Sequence, residues 1–244
     1  ASPYAKNNTT LIVDNLQSKP YIDITLEMMK SFGVDVENEN YTKFFIKAGQ
    51  RYQPKSFTVE GDWSGAAFLL VAGAIAGKVK VDNLQLNSFQ ADKGIINALI
   101  YAGAKVSMND NHIEVTKHHL NGFHFDATHC PDLFPPLVAL AANCDGESRI
   151  LGVSRLRVKE SDRAATLMEE FGKMGIDIKI EGELMIIKGG KPHSAKVSSH
   201  GDHRIAMATS VAALVGDGDV EIDGAESVAK SYPDFFEDLE QISI

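Results

Sequence analysis

A repeat of about seventy residues constrains this chain more than any other feature. Gly61-Asp62-Trp63-Ser64-Gly65 opens an apolar run over 66–76, Pro131-Asp132-Leu133-Phe134 opens a second over 135–142, and Gly201-Asp202-His203-Arg204 opens a third over 205–215. The three aspartates stand 70 residues apart. A second landmark keeps nearly the same period. Gly33, Gly103 and Gly175, separated by 70 and 72 residues, each close an amphipathic stretch and lead into a β-rich run. Glycine just past a helix is the usual left-handed cap, because it has no Cβ to clash. A chain with such a period reuses one supersecondary unit, and neighbouring copies bury the face that one copy leaves open. Each copy reads as amphipathic helix, glycine stop, strand, polar turn, strand, then an apolar helix opened by Asp. Short strands follow, such as Lys78-Val79-Lys80-Val81 and Val220-Glu221-Ile222.

The Asp-led helices are apolar nearly all round, with Leu69, Leu70 and Val71 consecutive in the first and Ala212 to Val215 in the third. Helices of that kind are buried on every side. Bundled inside outer sheets, they gather their N-termini at one end, each with unpaired N–H groups and about half a positive charge. Such an end is an anion site. The plain alternative is that the aspartates are N-caps, worth about 1 kcal/mol each. That reading suffices for Asp62, whereas Asp132 is expected to do chemistry.

A length of 244 residues permits one large domain or a domain with an appendage. No segment approaches the roughly 18 consecutive apolar residues of a membrane span. A net charge of −9 is a poor match to a nucleic-acid backbone, whose binding draws on Lys and Arg. Cys130 and Cys144 sit in apolar stretches without CxxC spacing and read as reduced core thiols of a cytoplasmic protein. Ala1-Ser2-Pro3-Tyr4, with a strand expected at Thr10 to Val13, reads as the inside of a larger protein.

Three clusters carry chemistry. Arg155-Leu156-Arg157-Val158-Lys159-Glu160-Ser161-Asp162-Arg163 precedes a helix expected over 164–173. Lys159 and Arg163, four apart, share a face once the helix begins, with Glu160 three residues from Arg163. A carboxylate among fixed cations holds an anionic substrate while keeping an acid or base in reach. In His200-Gly201-Asp202-His203-Arg204 a metal is disfavoured, since no further ligand stands at a recognisable spacing. Arg204, heading a buried helix, suits a phosphate or carboxylate. His118, His119, His124 and His129 read as surface and strand residues. Ala229-Lys230-Ser231-Tyr232-Pro233-Asp234-Phe235-Phe236 places Pro233 at a helix start and Lys230 before it, as a solvent lysine or a phosphate ligand. Two glycine strings are set aside. Residues 73–79 fall one short of a P-loop and read as the end of a buried helix, and 216–219 read as a turn between helix and strand.

Taken in order, Ser18-Lys19-Pro20-Tyr21-Ile22-Asp23-Ile24-Thr25, Val59-Glu60-Gly61-Asp62, the 157–163 string, Asp202-His203-Arg204 and Ser231-Tyr232-Pro233-Asp234-Phe235-Phe236 resemble the later motifs of the 5-enolpyruvylshikimate-3-phosphate synthases. Five collinear motifs over essentially the whole chain make the resemblance specific. It implies an α/β fold, an enolpyruvyl transferase-like lobe built of repeated βαβαββ units with buried helices and outer sheets. Residues 1–59 then belong to the last unit of an N-terminal lobe and 60–244 to the C-terminal lobe. The family's early motifs fall upstream of Ala1, so the chain is expected to be inactive alone.

The implied activity moves the enolpyruvyl group of phosphoenolpyruvate to the 5-hydroxyl of shikimate 3-phosphate, releasing phosphate, as a step of aromatic amino acid biosynthesis. No metal or organic cofactor is implied. The family pattern places Ser18 and Tyr21 on shikimate 3-phosphate and Asp132 and Lys159 around its ring hydroxyls. It places Arg163, Arg204 and Lys230 on phosphoenolpyruvate. Asp132 and Glu160 are the implied proton carriers, and Arg155 and His203 are further candidates, although Arg155 stands where the family carries an amide. The nearest alternative is the sister transferase acting on UDP-N-acetylglucosamine. The Ser-Lys-Pro-Tyr and Lys-Glu-Ser-Asp-Arg strings favour shikimate. The acidic balance and the retained cations disfavour a non-catalytic binding module of the same fold.

Overall fold

The computed structural model describes residues 1–109, 112–157 and 159–242; Val158 of the basic string lies outside them. The chain forms two compact units, residues 1–59 with 87–91 and residues 60–86 with 92–242.

The first unit holds strand β1 (Thr9–Ile12), helix α1 (Lys19–Ser31) and strands β2 (Glu37–Glu39) and β3 (Lys43–Ile46). They pair antiparallel in the order β1-β3-β2, with Thr9 opposite Ile46 and Glu37 opposite Phe45. Pro20 sits in the first turn of α1, where its missing N–H costs nothing. Gly33, at φ +86°, ends the helix in the left-handed region that glycine favours. No residue of α1 is fully buried. Its apolar face, through Ile22, Leu26 and Met29, instead lines an open cavity of about 450 Å³ together with Leu11, Phe44 and Ile46.

The second unit is built on the repeat. Its elements are α2 (Trp63–Ala76), β4 (Lys78–Asp82), α3 (Ile95–Ala102), β5 (Lys105–Met108), β6 (His112–Thr116), β7 (His124–Asp126), α4 (Phe134–Ala142), β8 (Glu147–Leu151), α5 (Arg163–Lys173), β9 (Asp177–Glu181), β10 (Leu184–Lys188), β11 (His193–Ser198), α6 (His203–Ala213), β12 (Asp217–Asp223) and α7 (Phe235–Glu240). The apolar helices α2, α4 and α6 pack on one another, and each lies against its own sheet. Those sheets run β4-β6-β5, β7-β8-β10-β9 and β11-β12. The pairs β7-β8 and β11-β12 are parallel, with α4 and α6 as their crossovers, while the remaining pairs are antiparallel. The middle copy thus reads β7-α4-β8-α5-β9-β10, a complete βαβαββ unit. Every residue of α2 except Ser64 is buried, as is every residue of α4. No helix among the described residues is long and apolar enough to cross a membrane.

Three local expectations are corrected. Asp132 does not open α4. Residues 131–133 form a 3-10 turn and the helix starts at Phe134, because Pro135 and Pro136 lack N–H groups and fit only the first turn. Pro233 lies outside α7, before its N-terminal flank Asp234. Residues 217–219 are already strand: β12 carries a bulge opposite 193–195, with Gly218 at φ +141°.

Candidate active site

Asp202 and Asp162 set the geometry. Asp202 caps α6, accepting from the Arg204 amide at 3.0 Å, and Asp162 caps α5, accepting from the Ala165 amide at 3.3 Å. With Asp162 outside the helix, Arg163 becomes the first residue of α5. Lys159 and Glu160 therefore sit in the preceding loop and do not share a helical face with Arg163. The loop itself brings them in.

Arg163 is the centre of the arrangement. Its side chain is 1% exposed, and its guanidinium donates from Nη1 to Asp132 Oδ1 at 2.7 Å, from Nη2 to Glu160 Oε2 at 2.6 Å and from Nε to Asp202 Oδ2 at 2.7 Å. Burial of an ion is tolerated only with such pairing. Three more cations surround the same carboxylates. Lys159 Nζ lies 3.0 Å from Asp132 Oδ1, Arg204 Nη2 lies 3.7 Å from Asp132 Oδ2, and Lys230 Nζ lies 3.2 Å from Glu160 Oε1. Four cations thus face three carboxylates beside the N-terminus of α6, a region with positive charge to spare for an anion.

Burial works to raise the Asp132 carboxyl, but Arg204, Lys159 and Arg163 together outweigh it and hold the group at about 2. Glu160 is also lowered: burial opposes, while its own backbone N–H, Arg163 and Lys230 prevail. Both are ionised before any ligand arrives. Arg163 is raised above its ordinary value, since Asp202, Asp132 and Glu160 overcome the penalty of burial. His203 is buried and lowered, first by that burial and then by Arg204, and its Nδ1 has no hydrogen-bond partner among the described residues.

The structure therefore brings together Asp132, Lys159, Glu160, Arg163, Arg204 and Lys230. Ser18 and Tyr21 belong to the first unit, at the start of α1. The Tyr21 amide donates to the Ser18 carbonyl at 3.1 Å, and Ser18 is held left-handed at φ 52°. Arg155 lies half-buried in the 3-10 turn Val153–Leu156. His200 and His203 do not converge on a metal position with Asp202, because His200 turns to Glu170 and Asp202 to Arg163. His118, His119, His124 and His129 are exposed. Asp62 is a cap, accepting from the Ser64 and Gly65 amides at 3.0 Å each.

Sequence reasoning missed the second role of Asp202, which grips Arg163 and accepts from Ser161 Oγ at 3.1 Å. The seventy-residue period singled Asp202 out, but its partner is 39 residues away and no local spacing reveals that.

The sequence model of the family described as "EPSP synthase (3-phosphoshikimate 1-carboxyvinyltransferase)" matches residues 1–239. A 3-phosphoshikimate 1-carboxyvinyltransferase of Clostridium novyi is 39% identical over 242 residues, which is 98% of this chain and 56% of the relative. One of Clostridium perfringens is 41% identical over 243 residues, 98% of this chain and 57% of the relative. The solved EPSP synthase of Acinetobacter baumannii superposes with a TM-score of 0.83 at 30% identity, covering 99% of this chain and 58% of that one. The chain spans a little over half the length of the proteins it matches. On the strength of a match along nearly its whole length, the chain belongs to the EPSP synthase family.

Proposed function

We propose that the protein carrying this chain transfers the enolpyruvyl group of phosphoenolpyruvate to the 5-hydroxyl of shikimate 3-phosphate and releases phosphate. Residues 1–59 end an N-terminal lobe whose remainder lies outside this chain, and residues 60–244 form the C-terminal lobe. The two free, buried thiols, Cys130 and Cys144, support a cytoplasmic setting. The observation that carries the reading is the convergence of Lys159, Arg163, Arg204 and Lys230 on Asp132 and Glu160.

Arg163, Arg204 and Lys230 take the anionic ends of phosphoenolpyruvate. Lys159 and Asp132 take ring hydroxyls of shikimate 3-phosphate. Addition requires that the hydroxyl oxygen bond to the enol carbon while the methylene carbon gains a proton. Elimination then expels phosphate as a proton leaves the same methyl group. Asp132 accepts the hydroxyl proton, and Glu160 exchanges the proton at carbon. Both carboxylates rest ionised under the surrounding cations. An anionic substrate neutralises those cations and burial then raises both groups. Asp132 so becomes the base that takes the hydroxyl proton, while Glu160 takes up a proton from solvent, gives it to the methylene carbon on addition and takes one back from the methyl group on elimination. The same cations stabilise the charge that grows on departing phosphate.

Turnover of the complete protein tests the assignment. Asp132→Asn and Glu160→Gln each lower kcat by at least about a hundredfold, with substrate binding far less affected. Near-normal kcat in Glu160→Gln removes it from the mechanism.

A further inference from the structure

Glu170, on α5, is a carboxylate with no exposed side-chain surface that the chemistry above does not use. Its Oε1 accepts from His200 Nε2 at 2.6 Å and from Lys173 Nζ at 2.8 Å. Its Oε2 accepts from Lys173 Nζ at 2.9 Å and from the Ser198 amide at 2.9 Å. One side chain of α5 therefore grips both the end of β11 and the loop joining β11 to α6. That loop turns through two successive left-handed residues, His200 at φ 51° and Gly201 at φ 69°. For a residue with a Cβ this conformation is less favourable than for glycine, and contacts around His200 can offset that cost. The next residue is Asp202, which caps α6 and fixes Arg163, and Arg204 follows two positions later.

A cation site is the competing use of this cluster. Glu169, Glu170 and His200 are the trio whose ligand atoms converge as a metal would need among the described residues. Lys173 Nζ already stands 3.0 Å from Glu169 Oε1 and 2.8 Å from Glu170 Oε1, and its ammonium supplies the positive charge there.

We propose that Glu170 and His200 are positioning residues for the phosphoenolpyruvate site: their contact latches the β11–α6 loop in its left-handed turn and so holds Asp202 and Arg204 in register with Arg163. The proposal rests on the active-site reading above. Groups in one hydrogen-bonded network are coupled by amounts that correspond to about tenfold in affinity.

The test measures KM for phosphoenolpyruvate and kcat in the complete protein carrying Glu170→Gln or His200→Gly, together with amide exchange across residues 199–204. Both variants raise KM about tenfold, change kcat less, and speed exchange in that loop alone. His200→Gly is the sharper of the two. Glycine relieves the left-handed backbone, so a loop governed by backbone preference alone keeps or improves its KM. A wild-type KM in both variants, even with a lowered melting temperature, overturns the latch. If Glu170→Gln does not fold, the half-exposed His200 position decides the matter alone. A wild-type protein without turnover defeats the active-site reading, and the latch falls with it, whereas active wild type with unmoved variants defeats the latch only.

Discussion

At the residue scale the second unit is organised by one buried guanidinium. Arg163 satisfies Asp132, Glu160 and Asp202 at once, so removing any one of them leaves part of a buried guanidinium without its hydrogen-bond partner. The same pairing makes stability depend on acid. Asp132, Glu160 and Glu170 all titrate below their ordinary values when folded, so the folded state binds their protons more weakly than the unfolded chain. Their contribution is therefore fully present above the unfolded carboxylate range and is lost as pH falls through the folded values. For Asp132 the window runs from 3.8 down through about 2, and its share is on the order of 2 kcal/mol. Denaturant midpoints should fall steeply between about pH 5 and 2, and Asp132→Asn should flatten the lower part of that slope. An unchanged slope in the variant contradicts the ion-pair account. Residue types and rough positions were legible in the string 155–163 and in Asp202-His203-Arg204. Partners were not, because Arg163 meets Asp132 and Asp202 across 31 and 39 residues of chain, where only tertiary structure specifies contact.

At the element scale the repeat was legible because it is written in backbone chemistry. Gly33, Gly103 and Gly175 all adopt the left-handed conformation expected of helix ends, at φ +86°, +94° and +80°. The helices opened near Asp62 and Asp202 also lie where their apolar runs begin. The exception is α4, which was expected to begin at Asp132 like its neighbours, whereas the prolines at 135 and 136 impose a 3-10 entry instead. That displacement leaves Asp132 free of capping, so its carboxylate faces the cations. The glycine string at 73–79 likewise has a packing explanation. A Cβ on Gly73 would stand 2.4 Å from Val79 Cγ1 and 2.9 Å from Val79 Cβ, so α2 and β4 touch almost backbone to backbone. Alanine is favoured over glycine within a helix by about 1 kcal/mol, but overpacking here costs about 1 to 3 kcal/mol. Gly73→Ala is therefore expected to lower Tm by several degrees. A raised Tm shows that the α2–β4 contact is looser than described.

At the scale of the whole molecule, the two units differ in how well each encloses its own core. The second surrounds α2, α4 and α6 with three sheets. The first leaves α1 without a buried residue and Leu11 and Ile12 exposed at 47% and 79%. A sheet that covers one face of one helix leaves the other face open, as the single repeat copy proposed above for residues 1–59 would. The central claim is that the cations of the second unit are the phosphoenolpyruvate site, and Arg204 tests it most directly, being little exposed and outside the three-carboxylate grip on Arg163. Truncating one member of a buried charge pair costs about 2 to 5 kcal/mol. The measurement is the KM for phosphoenolpyruvate of the complete protein with Arg204→Ala, its fold verified by circular dichroism. The account predicts a rise of at least about thirtyfold; a KM within about twofold of wild type contradicts it and makes Arg204 a structural residue.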